Sequence, residues 1–222
     1  MYRFLSYEIN PQTPMYGGKT GFLSKTASSI KNGDSANTQK WKMPNHLGTH
    51  IDFPYHFNEN GQTSDFFPSE FWIIDGEKIQ VLEVNLTEKK YLIEPKDIEK
   101  DEFNSDAQFL ILKTGFGNYR NQEKFWKYNP GISIETADWI IKNFKKIKII
   151  GIDSISISSW QHREIGRKVH KKLLNPKNPI LIIEDMDLRK IKRDTIFKMV
   201  YVAPLIVSRS DGGPCTILTE VK

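Results

Sequence analysis

The stretch His46-Leu47-Gly48-Thr49-His50-Ile51-Asp52-Phe53-Pro54-Tyr55-His56 places three of the chain's five histidines and a carboxylate within eleven residues. Its candidate ligands stand at 46, 50, 52 and 56, separated by even numbers, so in an extended chain all would point to one face. A helix would also bring His46 and His50 together, but Gly48, β-branched Thr49 and Ile51, and Pro54 oppose one. The helical zinc-protease motif is excluded, because Leu47 and Gly48 stand where it needs a glutamate. A straight strand, at about 3.3 Å per residue, would hold His46 and His50 roughly 13 Å apart, too far to share an ion. A bend is required, and Gly48 can supply it. The segment is therefore predicted to be a kinked strand-to-loop passage in which His46, His50 and Asp52 converge on one ion.

Two histidines and a carboxylate with a position left for water form a ligand set typical of catalytic rather than sealed structural metal sites. Such an ion acidifies water and polarises a carbonyl, and a neighbouring group must carry protons to the leaving atom. His56, one step outside the triplet, suits that proton-carrying role, with ligation as its alternative. Cys215 is the only cysteine, which excludes a thiolate zinc cage and an intramolecular disulfide. Any ion must be held by nitrogen and oxygen, a set that suits zinc, manganese or iron.

A chain of 222 residues fits one domain, 1–222, with a sizeable core. Its composition, 27% charged, 38% hydrophobic and 12% aromatic, is that of a globular protein and not of a disordered one. No stretch approaches the roughly 20 apolar residues of a membrane span, and residues 1–8 lack the pattern of a secretory signal, so a cytoplasmic location is expected. The net charge of +5 concentrates in residues 142–148 and 163–172. Neither run interleaves stacking aromatics with its basic residues, so both read as solvated faces and no nucleic-acid partner is expected.

Turn residues divide the first half into short extended pieces. A hairpin is predicted for 26–30 and 37–43 around Asn32-Gly33-Asp34, and another for 71–74 and 78–84 around Asp75-Gly76. Apolar runs at 109–112, 147–150 and 180–184 read as buried strands, the last ending in Glu184. Ser133 can cap a helix in which Ile134, Ala137, Ile140, Ile141 and Phe144 recur at helical spacing. A second helix over 163–174, ending before Pro176, carries His170. Strands at 199–207 and 215–221 complete a mixed α/β domain without repeats.

Residues 46–56 fill every defined position of H-x-G-T-H-x-D-x-P-x-H, and so resemble the signature of the metal-dependent cyclase family. That family includes bacterial kynurenine formamidases, isatin hydrolases and polyketide cyclase-like proteins. Leu112-Lys113-Thr114-Gly115-Phe116, Pro130-Gly131-Ile132-Ser133, Gly151-Ile152-Asp153 and Ser210-Asp211-Gly212-Gly213-Pro214 are similar to further segments of the family, so the resemblance spans most of the chain. It implies a swivelling β/β/α domain that assembles as a homo-oligomer, a dimer or tetramer, and acts on a small molecule. It also implies a second ion on Asp52, His170 and Glu184, with Asp52 bridging two divalent ions, Zn2+ as first expectation and Mn2+ as second. The implied reaction is hydrolysis of an N-formyl or cyclic amide of a small aromatic substrate, as in an arylformamidase. Isatin hydrolase-like or polyketide cyclase-like chemistry and a non-catalytic metal-binding role are the alternatives. Many members follow Gly-x-Asp with Pro-Ser-x-Asp, whereas Ile155-Ser156-Ile157-Ser158 keeps the serine and lacks the proline and the acid. That loop lies near the substrate side in the family, so the resemblance carries the metal chemistry further than it carries N-formylkynurenine as substrate.

Overall fold

The three long apolar runs lie side by side in a computed structural model that describes residues 1–19, 21–86, 91–98 and 103–222. In chain order the elements are β1 (Tyr2–Phe4), β2 (Leu23–Ser28), β3 (Thr38–Lys42), β4 (His50–Asp52), β5 (Ile73–Asp75), β6 (Ile79–Glu83), β7 (Leu92–Ile93) and β8 (Phe109–Lys113). Then follow α1 (Lys124–Lys127), β9 (Gly131–Ile132), α2 (Ile134–Asn143), β10 (Ile149–Ile152), α3 (Arg163–Leu173), β11 (Leu181–Glu184), β12 (Phe197–Pro204) and β13 (Gly212–Val221). Strands β6, β8, β10 and β11 are mutually parallel. Their continuous apolar sequences match their burial, because parallel strands are covered on both faces.

Beyond β11 the pairing turns antiparallel through β4, β13, β12 and β5, giving the order β5-β12-β13-β4-β11-β10-β8-β6, with β1 also on β13. The short strand β4 thus sits inside the sheet, where its parallel and antiparallel halves meet. Helix α2 starts at Ser133, whose hydroxyl accepts from the Thr136 amide, and buries Thr136, Ala137 and Ile140. Helix α3 buries Gly166, Val169, His170 and Leu173, the i, i+3, i+4, i+7 stripe of an amphipathic helix. None of the helices is long and apolar enough to cross a membrane, among the described residues.

The first expected hairpin forms, β2 against β3 in antiparallel register. The second does not. β5 pairs with β12 and β6 runs parallel to β8, so the strands flanking Asp75-Gly76 occupy opposite ends of the sheet order. Non-local burial decides this: Val81 and Leu82 are buried beside β8, and a Cβ on Gly76 would lie 1.9 Å from the Phe197 carbonyl oxygen on β12. The single turn Gly76–Lys78 therefore nearly closes the sheet on itself.

Candidate metal centre

Sheet register assembles the first donors. His50 on β4 is opposite Glu184 on β11, and directly opposed residues of an antiparallel pair share a face. Asp52 lies two residues beyond His50 on the same face. Gly48 makes the expected bend with φ of +64°, and His46 folds back so that its Nδ1 lies 2.8 Å from Asp52 Oδ1. His170 arrives from the buried stripe of α3, with Nε2 3.4 Å from Asp52 Oδ2 and 3.3 Å from Glu184 Oε1. His50 Nε2 lies 3.5 Å from Asp52 Oδ1 and 3.4 Å from Glu184 Oε2. His46, His50, His170 and Glu184, the other residues expected to hold ions, thus all surround Asp52. His56 follows on a short 3-10 turn begun by Pro54 and stacks its ring on that of His46, centroids 4.1 Å apart.

Each donor is held from behind. His50 Nδ1 donates to the Gly48 carbonyl at 2.8 Å and His170 Nδ1 to the Gly166 carbonyl at 2.9 Å, which turns both Nε2 atoms towards the carboxylates. Glu184 Oε1 accepts from Ser156 Oγ at 2.9 Å and the Ile157 amide at 2.7 Å. Immediately after Glu184, Asp185 takes φ of +53°, a conformation held by Arg120, which donates Nε to Oδ1 at 2.8 Å and a terminal nitrogen to Oδ2 at 2.7 Å. Thr49 Oγ1 donates to the Asp185 carbonyl at 2.5 Å, tying the β4 turn to the end of β11.

Burial alone would disfavour every charge here, yet the opposite signs stabilise one another. Desolvation lowers the histidine values, but hydrogen bonds and charge from Asp52 and Glu184 outweigh it, raising His50 to about 9 and His170 to about 10. Glu184 is correspondingly drawn down to about 2 against its desolvation and the neighbouring Asp52 charge, and Asp52 lies well below the usual carboxylate range. Two buried carboxylates thus require compensating positive charge. A divalent ion fits that demand: the donors are oxygen and imidazole nitrogen, and both Nε2 atoms already have their opposite nitrogens fixed by carbonyls, the support that ligating histidines usually have.

Two triplets of donor atoms lie within 4.8 Å of one another, His46, Asp52 and His56, and His50, Asp52 and Glu184. Asp52 is shared, as expected, but His56 and not His50 accompanies His46. The Gly48 bend carries the His46 ring to the His56 side. The donors open onto a cavity of about 290 Å³ whose further walls include Tyr16, Phe57, Ile155, Arg163 and Arg167. Burial raises the Tyr16 phenol to about 12, so it remains a hydrogen-bond donor at neutral pH.

Asp211 was not singled out from sequence, although its segment was. Its Oδ2 lies 3.0 Å from His46 Nε2 and 2.8 Å from His56 Nδ1. Ser156 and Ser158 were likewise unassigned; Ser158 Oγ lies 3.2 Å from His170 Nδ1. A Cβ on Gly166 would meet that hydroxyl at 2.0 Å, so only glycine lets the loop approach the helix this closely. The 155–158 loop therefore supports two metal-site donors. Asp153, by contrast, accepts from Thr114 and the Gly115 amide and braces a turn.

The Putative cyclase family pattern matches residues 4–159. Kynurenine formamidase of Bacillus cytotoxicus is 25% identical over 211 residues, covering 95% of this chain and 92% of that protein. Cyclase-like protein 1 of Oryza sativa subsp. japonica is 27% identical over 208 residues, covering 89% of this chain and 70% of that one. Among solved structures, isatin hydrolase A from Labrenzia aggregata bound to benzyl benzoate superposes with a TM-score of 0.76 at 16% identity, over 99% of this chain and 93% of that chain, which bears on the fold alone.

Proposed function

The chain belongs to the cyclase family, and on that premise we propose that it is a metal-dependent amidohydrolase that opens an N-formyl or cyclic amide of a small aromatic substrate. The observation that carries this reading is the pair of buried carboxylates, Asp52 and Glu184, faced by two imidazole Nε2 atoms whose Nδ1 atoms are fixed by backbone carbonyls. Around the shared Asp52, the donors His46, His50, His170 and Glu184 would hold two divalent ions, Zn2+ before Mn2+, with His46 on the His56 side and His50 on the Glu184 side. When bound, a divalent ion polarises a carbonyl and acidifies water.

The remaining work falls to the chain. His56 gives Nδ1 to Asp211 and keeps Nε2 for the cavity, so that Nε2 can take a proton from water and return it to the leaving nitrogen. Asp211 fixes the ring and steadies the imidazolium formed between those two transfers. For an aryl formamide the C–N bond breaks as water gives its hydroxyl to the formyl carbon, which leaves as formate, and its proton to the nitrogen, which leaves as the amine. Phe57, stacked on His170 with centroids 4.6 Å apart, shields the donors from bulk solvent.

A homo-oligomer, dimer or tetramer, acting in the cytoplasm on a small molecule completes the reading. The β2–β3 hairpin supports it, because both its faces are exposed, Trp41 and Leu23 included, and an isolated hairpin is marginal in water. The test is to strip the protein with chelator, restore Zn2+ or Mn2+, and assay N-formylkynurenine, isatin and simple aryl formamides. Metal-dependent turnover of any of these supports the proposal, and full loading without turnover across the panel contradicts it. Light-scattering mass in solution checks the assembly.

A further inference from the structure

The cavity has two chemistries, and only the inner one is used by the hydrolytic reading. Helix α3 supplies both. His170 stands at its inner end among the donors, and Arg167 and Arg163 also line the cavity, three and seven residues earlier. That spacing, i, i+4, i+7, puts all three on one side of the helix. At about 1.5 Å per residue the guanidinium-bearing positions lie roughly 4.5 and 10.5 Å along the axis from His170.

Neither cation is consumed by the fold. Arg163 takes part in no ion pair among the described residues. Its guanidinium lies over the Trp160 ring, 4.9 Å from the centroid, and Trp160 in turn packs edge-on against Tyr16 with centroids 4.9 Å apart. Stacking on an aromatic face fixes a guanidinium while leaving its five N–H donors free. Arg167 pairs with the exposed Glu164 one turn back, a contact that solvent and salt screen. The same cavity wall also carries the rings of Tyr16 and Phe57 and the side chain of Ile155, with Ser156 and Ser158.

We propose that the substrate carries a carboxylate, or an equivalent planar anion, held by Arg163 and Arg167 at the rim while its aromatic ring lies along Tyr16, Phe57 and Ile155 and its amide reaches the donor cluster. The arrangement rests on the amidohydrolase reading for what happens at the inner end, but the arginines fix the substrate's charge independently of that chemistry. Guanidinium is the side chain whose planar fork matches a carboxylate. The separation along α3 requires the anion and the scissile bond to lie on different positions of the ring or its side chain.

Two pairs of probes test this on the metal-loaded protein, each differing by one carboxylate: 2-formamidobenzoate against formanilide for turnover, and 2-aminobenzoate against aniline for binding by calorimetry. The carboxylated member is expected to be favoured in both pairs. In Arg163→Ala that preference should fall about tenfold, the scale of one charge-assisted hydrogen bond. It should fall further in Arg163→Ala/Arg167→Ala, and Arg163→Lys should recover part of it. The loss in turnover should appear in KM before kcat. Equal handling of charged and neutral probes, or a preference that survives the double substitution, would overturn the proposal. If neither formamide is hydrolysed, the calorimetric pair still decides the question of the anion, while the amidohydrolase reading stands or falls on the full panel of N-formylkynurenine, isatin and aryl formamides.

Discussion

At the inner end of the cavity each donor is held twice, whereas at the rim Tyr16, Trp160 and Arg163 are tied mainly to one another. His50 and His170 each face two carboxylates and lean on a backbone carbonyl, and Glu184 accepts two further hydrogen bonds. Arg163 has a ring beneath it and solvent around it. The difference separates two tasks. A dication demands fixed geometry, so its donors sit on paired strands and the buried stripe of a helix, where movement would break several contacts at once. Substrate choice needs only a few exposed side chains, which can change with little effect on the fold.

The largest expected effect is at the shared carboxylate. Asp52→Ala should abolish metal retention, measured by elemental analysis, and reduce turnover by more than the roughly 100-fold that a supporting group is worth. Next is the clamp behind Glu184. Arg120→Met leaves Asp185 buried and unpaired, the two side chains being 10% and 1% exposed, so urea unfolding should show a loss of about 3–5 kcal/mol. A neutral result there would break the contrast between a braced inner end and a loose rim. Asp211→Asn should lower kcat by about 10–100-fold while the metal stays bound, because the rings of His46 and His56 lose the carboxylate that orients them.

Metal removal gives a signed pH dependence. In the stripped protein His50 and His170 are raised above the free value of 6.5, to about 9 and about 10. Their contribution to stability is complete below the unfolded value and is lost as pH rises through the folded ones, so the urea midpoint should fall over that window. Added Zn2+ should reverse the slope, since imidazole binds metal only when neutral. The smallest effect is at the rim, where Arg163→Ala should change unfolding free energy by no more than about 0.5 kcal/mol.

Legibility in the sequence follows the same division between local and non-local causes. The β2–β3 hairpin could be read because its turn, Asn32-Gly33-Asp34, lies between its strands. The pairing around Asp75-Gly76 could not, because burial of Val81 and Leu82 beside β8 is decided by residues some thirty positions away. Spacing brought out the cluster around Asp52 and the bend at Gly48, but not that His56 and not His50 would stand with His46. His170 and Glu184 entered only through resemblance to a family, since nothing near Glu184 in sequence says that it will stand opposite His50. Asp211 depends on the register that sets Gly212 against Asp52, which no local pattern encodes.

The central claim is that a divalent ion at the Asp52–Glu184 cluster drives hydrolysis, and titrating the chelator-stripped protein with Zn2+ or Mn2+ while following aryl formamide cleavage tests it most directly. Activity should be absent at the start, rise in proportion to occupancy, and saturate when the cluster is filled, with no rise in Asp52→Ala. Equal turnover by the stripped protein, or saturation of the site with no cleavage, would contradict the account.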